Sequence, residues 1–173
     1  MTRQETIRQE LEATRTAYHE LLADTPDEIW EMPTSNPSWN VRHLLFHIIL
    51  AHKFLPQDLK RLRSGRLITP PKRLFDRLND WYTRWTARNQ NRQTLAKQFD
   101  QAHNNILRLL STIQENEWEL SGVYPDINEN LTGERTIADM FHYLTVHFWE
   151  HGADIQAVIQ QNRKAKIKQD LRD

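Results

Sequence analysis

The sequence has no cysteine among its 173 residues. The chain can therefore form neither a disulfide framework nor a thiolate zinc site, and it has no cysteine nucleophile. A metal ion would have to be bound by histidine and carboxylate side chains, and the sequence has eight His beside 23 Asp and Glu. Any thiol chemistry would need a thiol that comes from a cofactor.

The sequence also lacks a net charge and a long apolar run. Its 23 Lys and Arg balance its 23 Asp and Glu, so the whole chain has no bias toward nucleic acid or anionic membranes. No apolar run is long enough to span a bilayer, and Met1 to Glu10 are polar where a signal peptide would be apolar. We expect a cytoplasmic protein with neither a nucleic-acid nor a membrane partner.

What the sequence does contain is helical periodicity over most of its length. Apolar residues recur at spacings of three and four in four long segments, and no segment has the alternation of a convincing strand. Two helix starts are indicated by N-cap residues. Asn40 precedes the second segment, and Thr136, followed three residues later by Asp139, begins the fourth. Pro56 is expected to bend or interrupt the second helix. The segments span residues 2–23, 41–59, 94–115 and 136–161.

A shorter aromatic segment lies between the second and third long segments. We expect it to form a helix whose inner side holds the large residues Leu74, Phe75, Leu78, Trp81, Tyr82 and Trp85. Proline and glycine predict a crossover loop over residues 64–71 and a long irregular connection over residues 120–135. The prediction is an all-α four-helix bundle with an additional short helix in the crossover between the second and third long helices. Residues 1–162 would form one domain, and residues 163–173 a basic, frayed tail.

Two pairs of histidines have the spacing of one helical turn. His147 and His151 lie at the edge of the apolar stripe of the last helix, where two imidazoles can bind one metal ion. His43 and His47 form the second pair, with His47 at the margin of its own apolar stripe. From spacing alone, metal binding and hydrogen-bonded histidines at the core edge are equally supported.

Two stretches resemble the DinB-like (DinB/YfiT) four-helix bundle superfamily. The stretch from Trp39 to Ile48 is similar to its loop-to-helix signature, in which a Trp and a small polar cap precede a helix that carries one His. His147-x-x-Glu150-His151-x-x-x-Ile155 is similar to its final-helix signature. The aromatic short helix and Glu117-Trp118 also fit, and the resemblance covers nearly the whole chain.

The resemblance implies that the superfamily's three metal ligands are His47, His147 and His151. His43 lies one turn before His47 and is an alternative third ligand, although it falls further from the apolar stripe. Glu150 is then the candidate catalytic base or a carboxylate that supports the ligands, against the alternative of plain solvent exposure.

The resemblance also implies a function. The superfamily includes metal-dependent transferases that use bacterial low-molecular-weight thiols, a maleylpyruvate isomerase that uses mycothiol, and proposed metal hydrolases. We therefore expect a metal-dependent thiol S-transferase with a bacillithiol- or mycothiol-type cofactor, or a hydrolase, acting on a small-molecule substrate. The alternative is a non-catalytic protein that binds or sequesters a small molecule or a metal. Zinc or nickel leads the candidate metals, followed by iron, manganese and copper. The superfamily's frequent dimers and the many aromatic residues predict a homodimer.

Two other patterns have competing interpretations. His147-x-x-Glu150-His151 also spells the inverzincin peptidase motif, but a helical bundle lacks the mixed sheet that positions a peptide, so we attribute the match to chance. A basic run from Lys60 to Arg77, with aromatic residues downstream, could indicate nucleic-acid binding. This run is divided among a helix end, a loop and a new helix, and we interpret it as a solvated rim.

Overall fold

The chain folds as a four-helix bundle in a computed structural model that describes residues 1–65, 72–124 and 131–171. The first two long helices each pack against both of the last two, and a shorter helix packs on the second long one. This confirms the predicted all-α bundle with one additional helix in the crossover. The helices are α1 (Arg3–Asp24), α2 (Val41–Arg63), α3 (Lys72–Ala87), α4 (Arg92–Leu110) and α5 (Ile137–Asp170), with short 3-10 turns at Asp27–Ile29 and Glu115–Glu117.

The long helices begin where short polar side chains can bond to free backbone N–H groups. At the start of α5, the Thr136 hydroxyl accepts from the Asp139 N–H at 3.1 Å, and the Asp139 carboxylate accepts from the Thr136 N–H at 2.8 Å. Asn40 bonds reciprocally with the third residue of α2 in the same way. Both predicted starts are confirmed, and Thr2 and Asn91 cap α1 and α4 by the same reciprocal arrangement.

Pro56 does not interrupt α2, which continues to Arg63. Proline has no N–H to donate, so the bond that would close the preceding turn at this point is missing. Leu55, Leu59 and Leu62 are buried around it, and their packing outweighs the loss of one bond. The predicted interruption at Pro56 is therefore wrong.

A short hairpin lies where no strand was expected. Strand β1 (Ser121–Tyr124) pairs antiparallel with β2 (Gly133–Thr136), and β2 leads directly into α5. The prediction of an irregular connection is wrong at the seven of these positions that fall within residues 120–135, and residues 125–130 of that connection lie outside the described residues. The predicted crossover loop likewise lies outside them, except for residues 64 and 65.

The aromatic side of α3 faces away from the bundle, opposite to the prediction. Leu78, Trp81 and Trp85 are 52%, 59% and 56% exposed, whereas the buried residues of this helix are Thr83 and Ala87. Helix α3 packs on α2 among the described residues, and of its aromatic side Tyr82 lies near α2, with its ring centroid 6.5 Å from that of Phe46. The rings of Trp81 and Trp85 stack on each other with centroids 5.9 Å apart.

The C-terminal segment is helical where fraying was predicted. Helix α5 continues to Asp170, and its residues from 163 onward are exposed. Lys and Gln have good helix propensity, so an established helix extends through them at little cost. Lys166 also forms an ion pair with Glu28. Within the three described ranges, no helix has both the length and the apolar character that crossing a bilayer requires.

Candidate metal centre

Three histidine side chains from two helices converge on one point. His47 comes from α2, and His147 and His151 come from successive turns of α5, which packs directly against α2. One ring nitrogen of each residue can be chosen so that all three atoms lie within 4.8 Å of one another. The ring centroids are 4.9 Å apart for His47 and His147, 4.9 Å for His47 and His151, and 4.5 Å for His147 and His151. The structure thus brings together all three predicted ligands.

The cluster lies at the margin of the core. His147 is only 2% exposed, whereas His47 and His151 are half-buried. The buried residues of α5 include His147 but not His151. An ion bound by the three rings would therefore lie at the edge of the core, with His147 as its most buried ligand.

Burial keeps the three imidazoles neutral. It lowers the pKa of His47 to about 3 and the pKa of His147 well below its usual range, with the neighbouring histidines acting in the same direction. Burial also lowers the pKa of His151, although the Glu150 and Asp154 carboxylates oppose this shift. A neutral imidazole has a free nitrogen lone pair, which is the form that binds a metal.

The spacing between one nitrogen of His47 and one of His147 fits a divalent cation. The Nε2 atoms of His47 and His147 are 3.2 Å apart. Two nitrogens bound to one tetrahedral zinc at about 2.0–2.1 Å would be roughly 3.3–3.4 Å apart. The same contact without an ion is a hydrogen bond in which one Nε2–H donates to the other nitrogen. The donor set of three neutral nitrogens agrees with a site for zinc, nickel or another divalent transition metal.

The two candidates for the third metal ligand, His43 and His47, differ in their contacts. His43 is the third residue of the helix, and its Nδ1 accepts from the Asn40 backbone N–H at 3.1 Å. This bond completes the cap of α2 and keeps the His43 ring out of the cluster. His47, one turn later, is the α2 residue that joins the cluster.

Glu150 is exposed on α5, next to His151 in the chain. Its negative charge raises the pKa of the Tyr143 hydroxyl and acts to raise that of His151, so the carboxylate is within electrostatic reach of both groups. The structure places this predicted catalytic residue at the rim of the cluster.

Two residues near the cluster were not predicted from the sequence. The ring of Trp39 lies against His47 with centroids 4.4 Å apart, and its Nε1–H donates to the Asp80 carboxylate on α3 at 2.7 Å. Tyr143 lies 5.2 Å from His147 between ring centroids, and burial raises the pKa of its hydroxyl, which stays protonated at neutral pH. Tyr143 could have been inferred from the sequence, because it lies one helical turn before His147. Asp80 could not, because no residue near it in the sequence indicates a contact with Trp39.

Comparison with known proteins agrees with this architecture. Residues 10–155 match the model of the DinB superfamily, and no curated protein matches the sequence. A protein from Clostridium difficile 630 has the same fold, with a TM-score of 0.68, 14% identity, and coverage of 89% of this chain and 94% of that one. A Streptococcus pneumoniae protein has a TM-score of 0.66 and 16% identity, with 91% and 90% covered.

An enzyme is also among the similar structures. The mycothiol-dependent maleylpyruvate isomerase has a TM-score of 0.67 and 11% identity, with coverage of 90% of this chain but 61% of the isomerase. At such identities the structural likeness establishes the fold alone. The match to the superfamily model extends over most of the sequence, from residue 10 to residue 155. The chain belongs to the DinB superfamily.

Proposed function

We propose that the chain is a metal-dependent enzyme whose divalent cation is bound by His47, His147 and His151. The observation that carries the proposal is the convergence of three neutral imidazoles from α2 and α5. Three protein ligands leave a coordination position for a small molecule, as catalytic rather than structural sites do. Zinc and nickel are the first candidates because imidazole suits both, with iron, manganese and copper next.

The reaction that we propose is transfer of a low-molecular-weight thiol to a small electrophile, with hydrolysis as the related reaction of water. A bound divalent cation lowers the pKa of a thiol or of water toward neutrality. Because the chain has no cysteine, the thiol must come from a cofactor, and we propose one of the bacillithiol or mycothiol type. The dependence of the structurally similar isomerase on mycothiol supports this choice.

In the transfer, the thiol sulfur forms a bond to the electrophilic carbon, and the bond from that carbon to its leaving group breaks. The thiol proton passes to a base, for which we propose the Glu150 carboxylate at the rim. The protonated Tyr143 hydroxyl beside His147 serves as a donor to an oxygen of the substrate. Trp39, held by Asp80, packs against His47 and fixes the orientation of that ring.

The exposure of Glu150 favours a second candidate function. A general base must lie within hydrogen-bond reach of the proton that it removes, and water competes for that proton at an exposed position such as that of Glu150. Without an effective base, the same three histidines would serve a protein that binds a metal or a small molecule without turnover.

The test uses the untagged chain loaded with zinc or nickel. It is incubated with bacillithiol or mycothiol and chlorodinitrobenzene, and the S-conjugate is measured by mass spectrometry. Hydrolysis of p-nitrophenyl acetate is followed in parallel. We expect metal-dependent turnover in one of the two assays, its loss in His147→Ala, and its retention in His142→Ala, an exposed histidine on the same helix. A fully loaded protein without turnover would favour the binding function, and a protein that takes up no metal would refute both the metal-dependent enzyme and the metal-binding function.

A further inference from the structure

A separate cavity lies at the end of the bundle where α2 and α4 begin. It has a volume of about 440 Å³, and none of the three clustered histidines lines it. Its walls come from the first 3-10 turn, from the first turns of α2 and α4, and from the residues before α4. The lining residues are Asp27, Trp30, Arg42, Gln90, Asn91, Arg92 and Gln93.

Three of the lining residues carry buried N–H donors without a partner. Trp30 is 5% exposed, and its indole Nε1–H has no acceptor among the described residues. The same holds for the Nε–H groups of Arg42 and Arg92. Native proteins leave few buried donors unpaired, because such a donor has lost its hydrogen bonds to water without a replacement. These three donors belong to residues that line a single cavity, and an acceptor from outside the chain would satisfy them.

The two guanidinium groups are fixed against the same indole. Their Cζ atoms lie 5.6 Å and 5.9 Å from the centroid of the Trp30 ring, for Arg42 and Arg92 respectively. Arg42 Nη1 donates to the Arg88 carbonyl at 2.8 Å, and Arg92 Nη2 donates to the Thr25 carbonyl at 2.6 Å. The terminal nitrogens thus hold both side chains in place, and the Nε–H groups remain for a ligand.

A nearby carboxylate can yield to an incoming anion. Asp27 accepts from Arg92 at 2.9 Å, but its side chain is 88% exposed, and so exposed an ion pair contributes little, so Asp27 can swing into solvent. Glu31 is held more firmly, because it accepts from both Arg42 and the Asn40 amide at 2.6 Å. The positive end of the α4 dipole, at the cap Asn91, adds to the attraction for a negative group.

We propose that this cavity binds a small oxyanion group, a phosphate or a carboxylate. Its oxygens accept from the Nε–H groups of Arg42 and Arg92 and from the indole N–H of Trp30. An oxyanion suits these donors because its oxygens only accept, and because its charge complements two fixed guanidinium groups. A cation would be repelled by the same two groups. The proposal does not depend on the metal centre.

The test is a titration of the full chain, labelled with nitrogen-15, followed by NMR. Sodium phosphate and sodium acetate are added in separate arms, and sodium chloride at matched ionic strength is the reference. We expect the Trp30 indole cross-peak, assigned with Trp30→Phe, to shift saturably together with the Nε–H peaks of Arg42 and Arg92. The arm that saturates shows whether phosphate or carboxylate is the better ligand. Saturation in neither arm would overturn the proposal.

Matched variants test the individual donors. Trp30→Phe keeps the buried ring and removes one donor, so we expect about tenfold weaker binding, followed through the arginine Nε–H peaks. Arg92→Gln should weaken binding at least as much. The controls are Trp118→Phe, a buried tryptophan elsewhere that also has an arginine against its ring, and Arg108→Gln at another surface site. Wild-type affinity in Trp30→Phe with native helicity would refute the role of the indole and, with it, the proposed site.

Discussion

Removal of a bound cation should destabilise the fold, because its ligands meet only in the folded chain. His47 and His147 are 100 residues apart in sequence, yet their Nε2 atoms lie 3.2 Å apart. The unfolded chain offers no such preformed site, so the cation binds the native state and raises its free energy of unfolding.

The size of this effect follows from mass action. With free metal at about one hundred times its dissociation constant, the stabilisation is about 2.7 kcal/mol. For a chain of 173 residues, each kcal/mol shifts the melting temperature by about 2–4 °C. Chelation of the loaded wild-type protein should therefore lower the melting temperature by about 5–11 °C, measured by circular dichroism, with metal content measured by elemental analysis.

Two variants separate the metal contribution from local packing. His147→Ala removes a ligand that is 2% exposed, and the lost packing should cost roughly 1–3 kcal/mol in the metal-free protein. Its melting temperature should no longer respond to chelator. His43→Ala loses the contact that caps α2, at a cost of roughly 0.5–1 kcal/mol, but should keep the full response. Wild-type protein that is indifferent to chelator, or His147→Ala that retains stoichiometric metal, would refute the assignment.

Three further predictions concern the surroundings of the site, the core and the exposed helix. Asp80→Ala should lower metal affinity about threefold to tenfold in competition with a chelating dye, because Trp39 loses its tether; unchanged affinity would contradict this. Burial lowers the pKa of His52 to about 3 in the folded state. Because the unfolded state therefore binds a proton at a higher pH than the folded state does, the free energy of unfolding should fall as the pH drops from about 6.5 toward 3. In chelator-treated protein, His52→Leu should make the free energy of unfolding less dependent on pH in this range. An unchanged pH dependence would argue against the contribution of His52. The exposed Trp81 and Trp85 predict a homodimer, which sedimentation equilibrium would detect as a mass of twice 20.7 kDa. Replacement of both tryptophans by serine should dissociate it. A single-chain mass of the wild-type protein at all concentrations would reject the dimer.

The bundle could be predicted because periodicity and capping are local properties. Apolar spacing identifies a helix whatever it packs against, and Asn40 and Thr136 select their helix starts through bonds to residues three positions away. The hairpin could not be predicted in this way, because strands of four residues such as Ser121–Tyr124 are too short to show alternation. Their pairing depends on a contact with Gly133–Thr136 that the sequence does not display.

The orientation of α3 shows a different limit. Its apolar side is clear from the sequence, and a clear apolar side predicts burial in a single chain. Burial needs a partner surface, and α3 packs mainly on α2, with Thr83 and Ala87 as its buried residues. Periodicity reveals that a helix has two sides, but the tertiary arrangement decides which of them faces the core.

The histidine cluster was predictable only in combination with a family resemblance, and its contacts explain why. His43 and His47 share a helix, a side and a residue type, and spacing alone cannot rank them. The structure ranks them through the cap: the third residue of α2 is the one whose side chain reaches back to the Asn40 N–H, and this fixes the His43 ring away from α5. The same reasoning applies to Asp80, whose bond to Trp39 spans 41 residues. A ligand that lies on a helical stripe can be inferred from its spacing, whereas a group that orients the ligand across a tertiary contact becomes visible only once the helices are packed.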